Sequence, residues 1–133
     1  MKSAVIRQVK SMAMSCDRVG NLLLAKFSAT GSTDVCVFVP APIVFWLLKH
    51  LPVNQDPNLQ PPPPPPQITQ ADWDSPYVPR ALTVNAKVLP GKISMTFNLD
   101  RKPDLTVILD RSNVEMMRQI MTHYTRDLID LEG

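Results

Sequence analysis

Histidine and cysteine are the first residue types to consider for acid–base or nucleophilic chemistry, and the sequence contains two of each. His50 falls near the end of a short predicted helix, where it can cap backbone carbonyls, and His123 falls on the surface of a later helix. Cys16 and Cys36 lie in apolar segments, which is typical of packed thiols rather than of low-pKa nucleophiles. Residues from separate turns could still converge on an active site, but these four favour a protein that is not an enzyme.

Carboxylates are the next candidates, because they are the ligands of hard cations. Asp100, Asp104 and Asp110 bracket one predicted strand and its turns. Their spacing matches no calcium-binding loop, and turn formation and helix entry explain all three more simply. The four glycines are isolated in the sequence, so it contains no glycine-rich phosphate loop. We therefore predict neither a metal nor a cofactor.

Aromatic side chains offer a different chemistry, that of protein–protein contact. Trp73 and Tyr77 lie in the segment QADWDSPYVP, which has the character of an extended arm. Their rings hold this arm on its own core or dock into a partner. Phe45 and Trp46 belong to a predicted helix that is apolar around most of its circumference, so they pack centrally or contact a partner subunit. We predict partner contacts at these four residues.

A second hypothesis takes basic residues of the predicted N-terminal strands as phosphate contacts for a nucleic acid. The candidates are Arg7, Lys10, Arg18 and Lys26. The formal net charge of +2 is too small to indicate a polyanion partner, and a solvated strand face explains the spacing equally well. Base-binding sheets also need exposed aromatic rings, whereas the predicted strands place their phenylalanines on apolar faces. Nucleic-acid binding is therefore the alternative function.

Six consecutive prolines, Pro61 to Pro66, occupy the middle of the chain. A polyproline II helix rises about 3.1 Å per residue, so this run would form a semi-rigid spacer of roughly 19 Å. It could instead be a ligand for an SH3 or WW domain, but the nearest basic residues, Lys49 and Arg80, are distant from it in sequence. We favour the spacer.

The elements that position these residues form two similar series. In the C-terminal series, LTVNAKVL and KISMTFNL alternate apolar and polar residues, LTVILD is apolar at nearly every position, and a helix with an apolar stripe follows. Ser112 and Glu115 predict a capping box at the start of that helix. The segment from Asn21 to Leu51 matches the segment from Gly91 to Met121 at a shift of 70 residues, with four identities.

We therefore predict an α+β fold of two β-β-β-α units, with antiparallel strands and with the helices packed on one face of the sheet. The units span residues 1–52 and 81–133, a proline-rich linker and arm span 53–80, and the units share one core. The similarity is either an internal duplication or the result of shared physical constraints.

Composition narrows the cellular setting and the class of function. Two cysteines are too few for a disulfide scaffold, and no apolar run approaches the roughly 20 residues of a membrane helix. We predict a cytoplasmic protein without a membrane partner. The leading hypothesis for its function is a small non-catalytic interaction module that forms a homodimer or is a subunit of a larger complex.

Overall fold

The described residues form six strands and three helices. The structure is a computed structural model that describes residues 5–17, 22–52 and 58–132, with the backbone alone for 126–132. Arg18, one of the predicted phosphate contacts, lies outside the described residues. The strands are β1 (Val5–Asp17), β2 (Leu22–Ala29), β3 (Val35–Pro40), β4 (Ala81–Leu89), β5 (Lys92–Leu99) and β6 (Leu105–Asp110), and the helices are α1 (Ala41–His50), α2 (Gln70–Asp74) and α3 (Arg111–Glu132).

All six strands belong to one mixed sheet with the order β3-β2-β1-β6-β5-β4. Each unit is antiparallel within itself, but β1 and β6 pair in parallel, from Val5 opposite Leu105 to Gln8 opposite Ile108. The prediction of antiparallel strands is therefore wrong at the centre of the sheet. Each unit has three strands, so its first and third strands run in the same direction, and the junction joins the first strand of one unit to the third strand of the other.

The sheet curls until its two halves face each other. The rings of Phe27 in β2 and Phe97 in β5 have centroids 6.4 Å apart, although two strands separate them in the sheet. In a flat sheet with strands about 4.8 Å apart, the backbones would be about 14 Å apart. The outer strands also meet, because the Phe38 N–H in β3 donates to the Pro79 carbonyl at 2.9 Å and Phe38 forms an isolated bridge with Arg80. The sheet is thus nearly closed into a barrel.

The core lies on the concave side of this sheet, and α1 and α3 contribute to it. Helix α3 contacts β1, β5 and β6, whereas α1 contacts β3, β4 and α3. Burial of apolar surface contributes about 25 cal/mol per Å² and is the main stabilising term. Strands and helices both supply fully buried side chains to one cluster, among them Leu23, Phe27, Val37, Val44, Leu47, Met95, Phe97, Leu109, Met117 and Met121.

Helix α3 is capped by Asp110 and not by the predicted box of Ser112 and Glu115. Asp110 Oδ1 accepts hydrogen bonds from the backbone N–H of Asn113 at 2.9 Å and from its side-chain amide at 3.1 Å. Ser112 instead donates its hydroxyl to the Gln60 carbonyl at 2.5 Å, and Glu115 pairs with an arginine one turn later. Aspartate is as effective an N-cap as serine, so the helix begins closer to the strand end than predicted. The helix-entry role predicted for Asp110 is confirmed.

Asn113 connects the two units. Its side chain is fully buried, and its Nδ2 donates to the Lys10 carbonyl at 3.1 Å, where β1 has a bulge between Val9 and Ser11. A bulge interrupts the ladder of backbone hydrogen bonds, so a carbonyl there needs another donor. Helix α3 of the C-terminal unit is thus tied to the first strand of the N-terminal unit.

The two units share their strand register and not only their order of elements. The helices that end them begin at residues 41 and 111, which are 70 positions apart. Each unit also has a bulge in its first strand, and the two bulges lie opposite residues that are 70 positions apart, 28–29 in β2 and 98–99 in β5. The β2–β3 pairing runs from Leu22 opposite Pro40 to Phe27 opposite Val35, and the β5–β6 pairing runs, 70 positions later, from Lys92 opposite Asp110 to Phe97 opposite Leu105.

The turn that follows β2 and the turn that follows β5 place equivalent residues in the left-handed region. Gly31 has a φ of 74° and Arg101 has a φ of 62°. A side chain in this region costs about 1–2 kcal/mol, and glycine pays no such cost. The Arg101 ion pair with Asp100 is exposed, so it offsets little of that cost.

Exchanging the residue types at these two turns should change stability in opposite directions. Arg101→Gly is expected to raise the free energy of unfolding by about 0.5–1 kcal/mol, and Gly31→Arg is expected to lower it by a similar amount. Urea denaturation monitored by circular dichroism measures both. Changes of the same sign in the two variants would contradict the common geometry.

Candidate interaction site

A short arm, residues 67–79, lies across the outer face of β2 and β3. Lys26 of β2 is at the centre of the contact, because its Nζ is 2.9 Å from Asp72 Oδ2 and donates to the Gln67 carbonyl at 3.0 Å. Trp73 packs beside it against Phe38 of β3, with ring centroids 5.7 Å apart. The Trp73 ring therefore holds the arm on its own sheet, which is one of the two roles predicted for it.

The arm contains the helix α2, which the interpretation as an extended segment missed. The Thr69 hydroxyl accepts from the Asp72 N–H at 3.3 Å, while Asp72 Oδ2 accepts from the Thr69 N–H at 2.9 Å. This reciprocal pair is a capping box, and the spacing of Thr69 and Asp72 in the sequence could have predicted it. One carboxylate oxygen thus caps the helix and pairs with Lys26.

Charge strengthens this attachment in a pH-dependent way. The Thr69 N–H and the Lys26 ammonium, both hydrogen-bonded to the Asp72 carboxylate, lower the pKa of that carboxyl below its usual 3.8. The hydrogen bond to Asp72 raises the pKa of Lys26 above its usual 10.5, against the effect of burial. The carboxylate stabilises the folded arm above its usual pKa, and this contribution disappears as the pH falls through the lowered value.

Acidification should therefore weaken the attachment of the arm progressively below about pH 4 and remove it once the pH has fallen through the lowered pKa of Asp72, which lies below the pH at which ordinary carboxyls are protonated. We expect a change in Trp73 fluorescence in a Trp46→Phe background as the pH falls from 5 towards 2. Asp72→Asn should abolish this acid transition, whereas Asp74→Asn, on the same helix but bonded to Gln70, should leave it in place. An unchanged transition in Asp72→Asn would show that another group titrates.

The Cys36 thiol lies next to this contact, and its environment disfavours the reactive thiolate. Burial raises the pKa of its thiol to about 11, and the Asp72 carboxylate adds to the shift while Lys26 opposes it. At pH 8 the thiolate fraction is then roughly 100-fold below that of an ordinary thiol, and the thiolate is the reactive form. The inference of a packed, inert thiol agrees with this environment.

Alkylation of Cys36 should be slow at neutral pH. In a Cys16→Ala background, we expect the rate with iodoacetamide at pH 8 to be at least about 100-fold below that of free cysteine and to rise tenfold per pH unit up to about pH 10. The measurement is the mass gained with time. A rate close to that of free cysteine at pH 8 would contradict the raised pKa of this half-buried thiol.

The other predicted contact residues lie at separate places. Phe45 and Trp46 are half-buried on α1 and pack against the core, and Trp46 also stacks on His50 with ring centroids 4.0 Å apart. Tyr77 ends the arm with its side chain 77% exposed, while its carbonyl accepts from Lys102 at 2.6 Å. Of the four predicted residues, Tyr77 is the one whose ring is most accessible.

The predicted phosphate contacts are not brought together in the described part of the chain. Arg7 is in register with the fully buried Val107, so its side chain leaves the strand on the core side, where its Nε is buried without a hydrogen-bond partner. Lys26 lies on the outer face and is held by the arm. Lys10 is exposed. Arg7 and Lys26 therefore face opposite sides of the sheet.

The proline run lies between two attachment points. On one side, the Gln60 carbonyl accepts from Ser112, and Pro61 and Pro62 line a shallow groove on α3 together with Met116. On the other side, the Gln67 carbonyl accepts from Lys26 of β2. Four of the six prolines are exposed.

The outer edge of β4 is the least covered part of the sheet, and its alternating sequence does not reveal this. Leu82 is 56% exposed and Val88 is 71% exposed, whereas Ile93, opposite Val88 in β5, is 4% exposed. Further along the same face, Val84 and Ala86 are half-buried, whereas their equivalents in the other unit, Met12 and Met14 of β1, are buried, and β1 contacts α3. The difference follows from helix length, because α1 has 10 residues and α3 has 22.

The described residues contain neither a candidate metal site nor a helix suited to cross a membrane. They contain no group of three or more histidine, cysteine, aspartate and glutamate side chains arranged to hold a metal ion. Among residues 5–17, 22–52 and 58–132, no helix combines the length and the apolar character needed to cross a membrane.

A fold by itself does not specify a function, so the surfaces described above are the features that bear on function. Comparison of the chain with protein-family models, with curated proteins and with solved structures gives no match.

Proposed function

We propose that the protein is a non-catalytic interaction module that works as a homodimer or as a subunit of a larger complex. The observation that carries this proposal is the distribution of exposed apolar side chains. Of the four large hydrophobic side chains exposed in the described residues, Tyr77, Leu82 and Val88 lie in one stretch of sequence at the arm and β4. Exposed apolar side chains along a strand edge are typical of interaction surfaces, and tyrosine is enriched at the energetic centres of such surfaces.

The environments of the potential catalytic groups support the same proposal. The His50 ring is stacked on Trp46 and its Nδ1 is 2.8 Å from the Trp46 carbonyl, so it is engaged within its own helix. His123 makes an edge contact with Tyr124 on α3. The raised pKa of Cys36 disfavours its thiolate. No two of these groups hydrogen-bond to each other in the described part of the chain, as a nucleophile and its base would.

Size-exclusion chromatography with light scattering tests the proposal. We expect twice the chain mass of 14.9 kDa, unchanged by salt and with a clean protein absorbance spectrum. A monomer over the whole accessible concentration range would overturn the homodimer. A peak that carries nucleic acid and loses it as salt increases would favour the alternative function.

We also propose that the two units arose by duplication of one β-β-β-α segment. Its support is the common register, the repeated bulge and the matching left-handed residues Gly31 and Arg101. Homologous sequences should then include chains whose halves are more alike than the halves of this one. Homologues whose halves never align at this offset would count against duplication.

The proline run is proposed to be a spacer and not a ligand. Its support is attachment on both sides, at Ser112 and at Lys26, which fixes the span that the run must bridge. Titration with isolated SH3 and WW domains should give no binding to the folded protein. Binding in the range normal for such domains would reverse this assignment.

A further inference from the structure

The free edge of β4 has a regular set of backbone groups that face away from the sheet. Pro90 and Gly91 form a two-residue turn between Leu89 and Lys92, which are register partners. The two residues that flank such a turn form a hydrogen-bonded pair. In β4, the backbone N–H and C=O groups of Leu89 and of every second residue before it therefore bond to β5. The N–H and C=O groups of Val84, Ala86 and Val88 therefore point to the open side.

These groups have no backbone partner among the described residues. The backbone hydrogen bond and the bridge between the two outer edges of the sheet lie at the base of β4, where Phe38 donates to Pro79 and bridges Arg80. An edge with several open donors and acceptors and with exposed apolar side chains is a template for another strand. Proteins that stay monomeric protect such edges with prolines, charges or bulges. Residues 82–89 contain no proline, their one charge, Lys87, lies on the face opposite the apolar row, and the bulge between Ala81 and Thr83 is confined to the start of the strand.

The sequence of β4 is complementary to itself in an antiparallel pairing centred on Asn85. In this register, Leu82 lies opposite Val88 of the second copy, so the two exposed apolar residues of one strand cover those of the other. Val84 lies opposite Ala86, which matches the outward-facing backbone groups in the way an antiparallel ladder requires. Lys87 lies opposite Thr83, so no like charges face each other.

We propose that two copies of the chain associate by antiparallel pairing of their β4 strands, centred on Asn85. The pairing is a twofold-symmetric contact of one patch with itself, which closes at two subunits. It covers the apolar row that the short helix α1 leaves open. The inference rests on the proposed function and names the surface through which it acts.

Two substitutions disrupt the pairing while leaving the backbone hydrogen bonds between β4 and β5 in place. Ala86→Pro deletes an outward-facing N–H, a position where an edge strand tolerates proline. Val88→Lys places a charge in the paired apolar row. Each should weaken dimerisation at least about 30-fold, as loss of a central interface residue does. Ile6→Lys is the matched control, because Ile6 is 60% exposed in another strand, and it should leave the dimer intact.

A cysteine scan tests the register itself in a Cys16→Ala, Cys36→Ala background. Opposed residues in a non-hydrogen-bonded pair have Cα atoms about 4.5 Å apart, within the range of a disulfide, so Asn85→Cys should cross-link to its own copy under mild oxidation. Thr83→Cys should not cross-link to itself, since the two copies of residue 83 would be about 13 Å apart. A mixture of Thr83→Cys and Lys87→Cys chains should cross-link as a heterodimer.

The outcomes separate this inference from the proposed function. A dimer that persists in Ala86→Pro and Val88→Lys and fails to cross-link through Asn85→Cys would overturn the β4 pairing while leaving a homodimer through another surface. A wild-type chain that remains monomeric would overturn both. If Ala86→Pro fails to fold, the cross-linking pattern at residues 83, 85 and 87 decides alone.

Discussion

Phe97→Ala is expected to lower the free energy of unfolding by about 3–5 kcal/mol, the usual cost of removing a buried phenylalanine ring. Phe97 is 1% exposed and Phe27 is 0% exposed, and their rings meet where the two halves of the curled sheet face each other. Truncation leaves a cavity in a densely packed core, and the two halves of the sheet would have to shift towards each other to fill it. Urea denaturation followed by circular dichroism measures the loss.

A double-mutant cycle with Phe27→Ala separates the ring contact from burial. We expect a coupling of about 0.5–1.5 kcal/mol, as for aromatic pairs in other cores. Ile6→Ala on the exposed face should cost less than about 0.5 kcal/mol and is the surface control. Strict additivity of the two phenylalanine substitutions would mean that the halves do not meet as described.

Asn113→Ala is expected to lower the free energy of unfolding by about 2–3 kcal/mol, because it removes a fully buried amide and leaves the Lys10 carbonyl at the β1 bulge without this donor. The matched control is Asn98→Ala. Asn98 also donates to an aspartate, Asp104, at 3.0 Å, but it is only half-buried and this bond joins two side chains, so its loss should cost about 1 kcal/mol. Equal costs for the two substitutions would contradict the special role of Asn113 at the junction.

Local patterns predicted the strands and helices well where neighbours along the chain determine the outcome. Alternation in KISMTFNL predicted the buried face of β5, and Ile93, Met95, Phe97 and Leu99 are all buried. The same alternation in LTVNAKVL predicted one apolar face for β4, but Leu82 and Val88 on that face are exposed. Whether a helix covers a strand depends on packing across the sheet, and this packing cannot be predicted from the alternation of apolar and polar residues in that one strand.

Capping patterns show why local sequence is ambiguous. Two segments place a hydroxyl residue three positions before an acidic one, at Thr69 and Asp72 and at Ser112 and Glu115. The first forms the box. The second does not, because the helix already begins at Arg111 after the Asp110 cap, and the Ser112 hydroxyl donates to the Gln60 carbonyl, far away in sequence. Four candidate contact residues were named from their types, yet packing decided that Trp73 lies against Phe38 and that Tyr77 stays exposed.

The parallel pairing of β1 with β6 has a consequence for how the chain folds during synthesis. Val5 pairs with Leu105, which is synthesised 100 positions later, so the central pairing is among the most non-local contacts of the sheet. At about 5–20 residues per second, a ribosome needs roughly 5–20 s to reach β6 after it has produced β1. Through that interval the hairpin of β1 and β2 has one unpaired side. High contact order slows the search for such a contact, so assembly of this sheet is expected to finish after β6 has emerged and to be limited by that step.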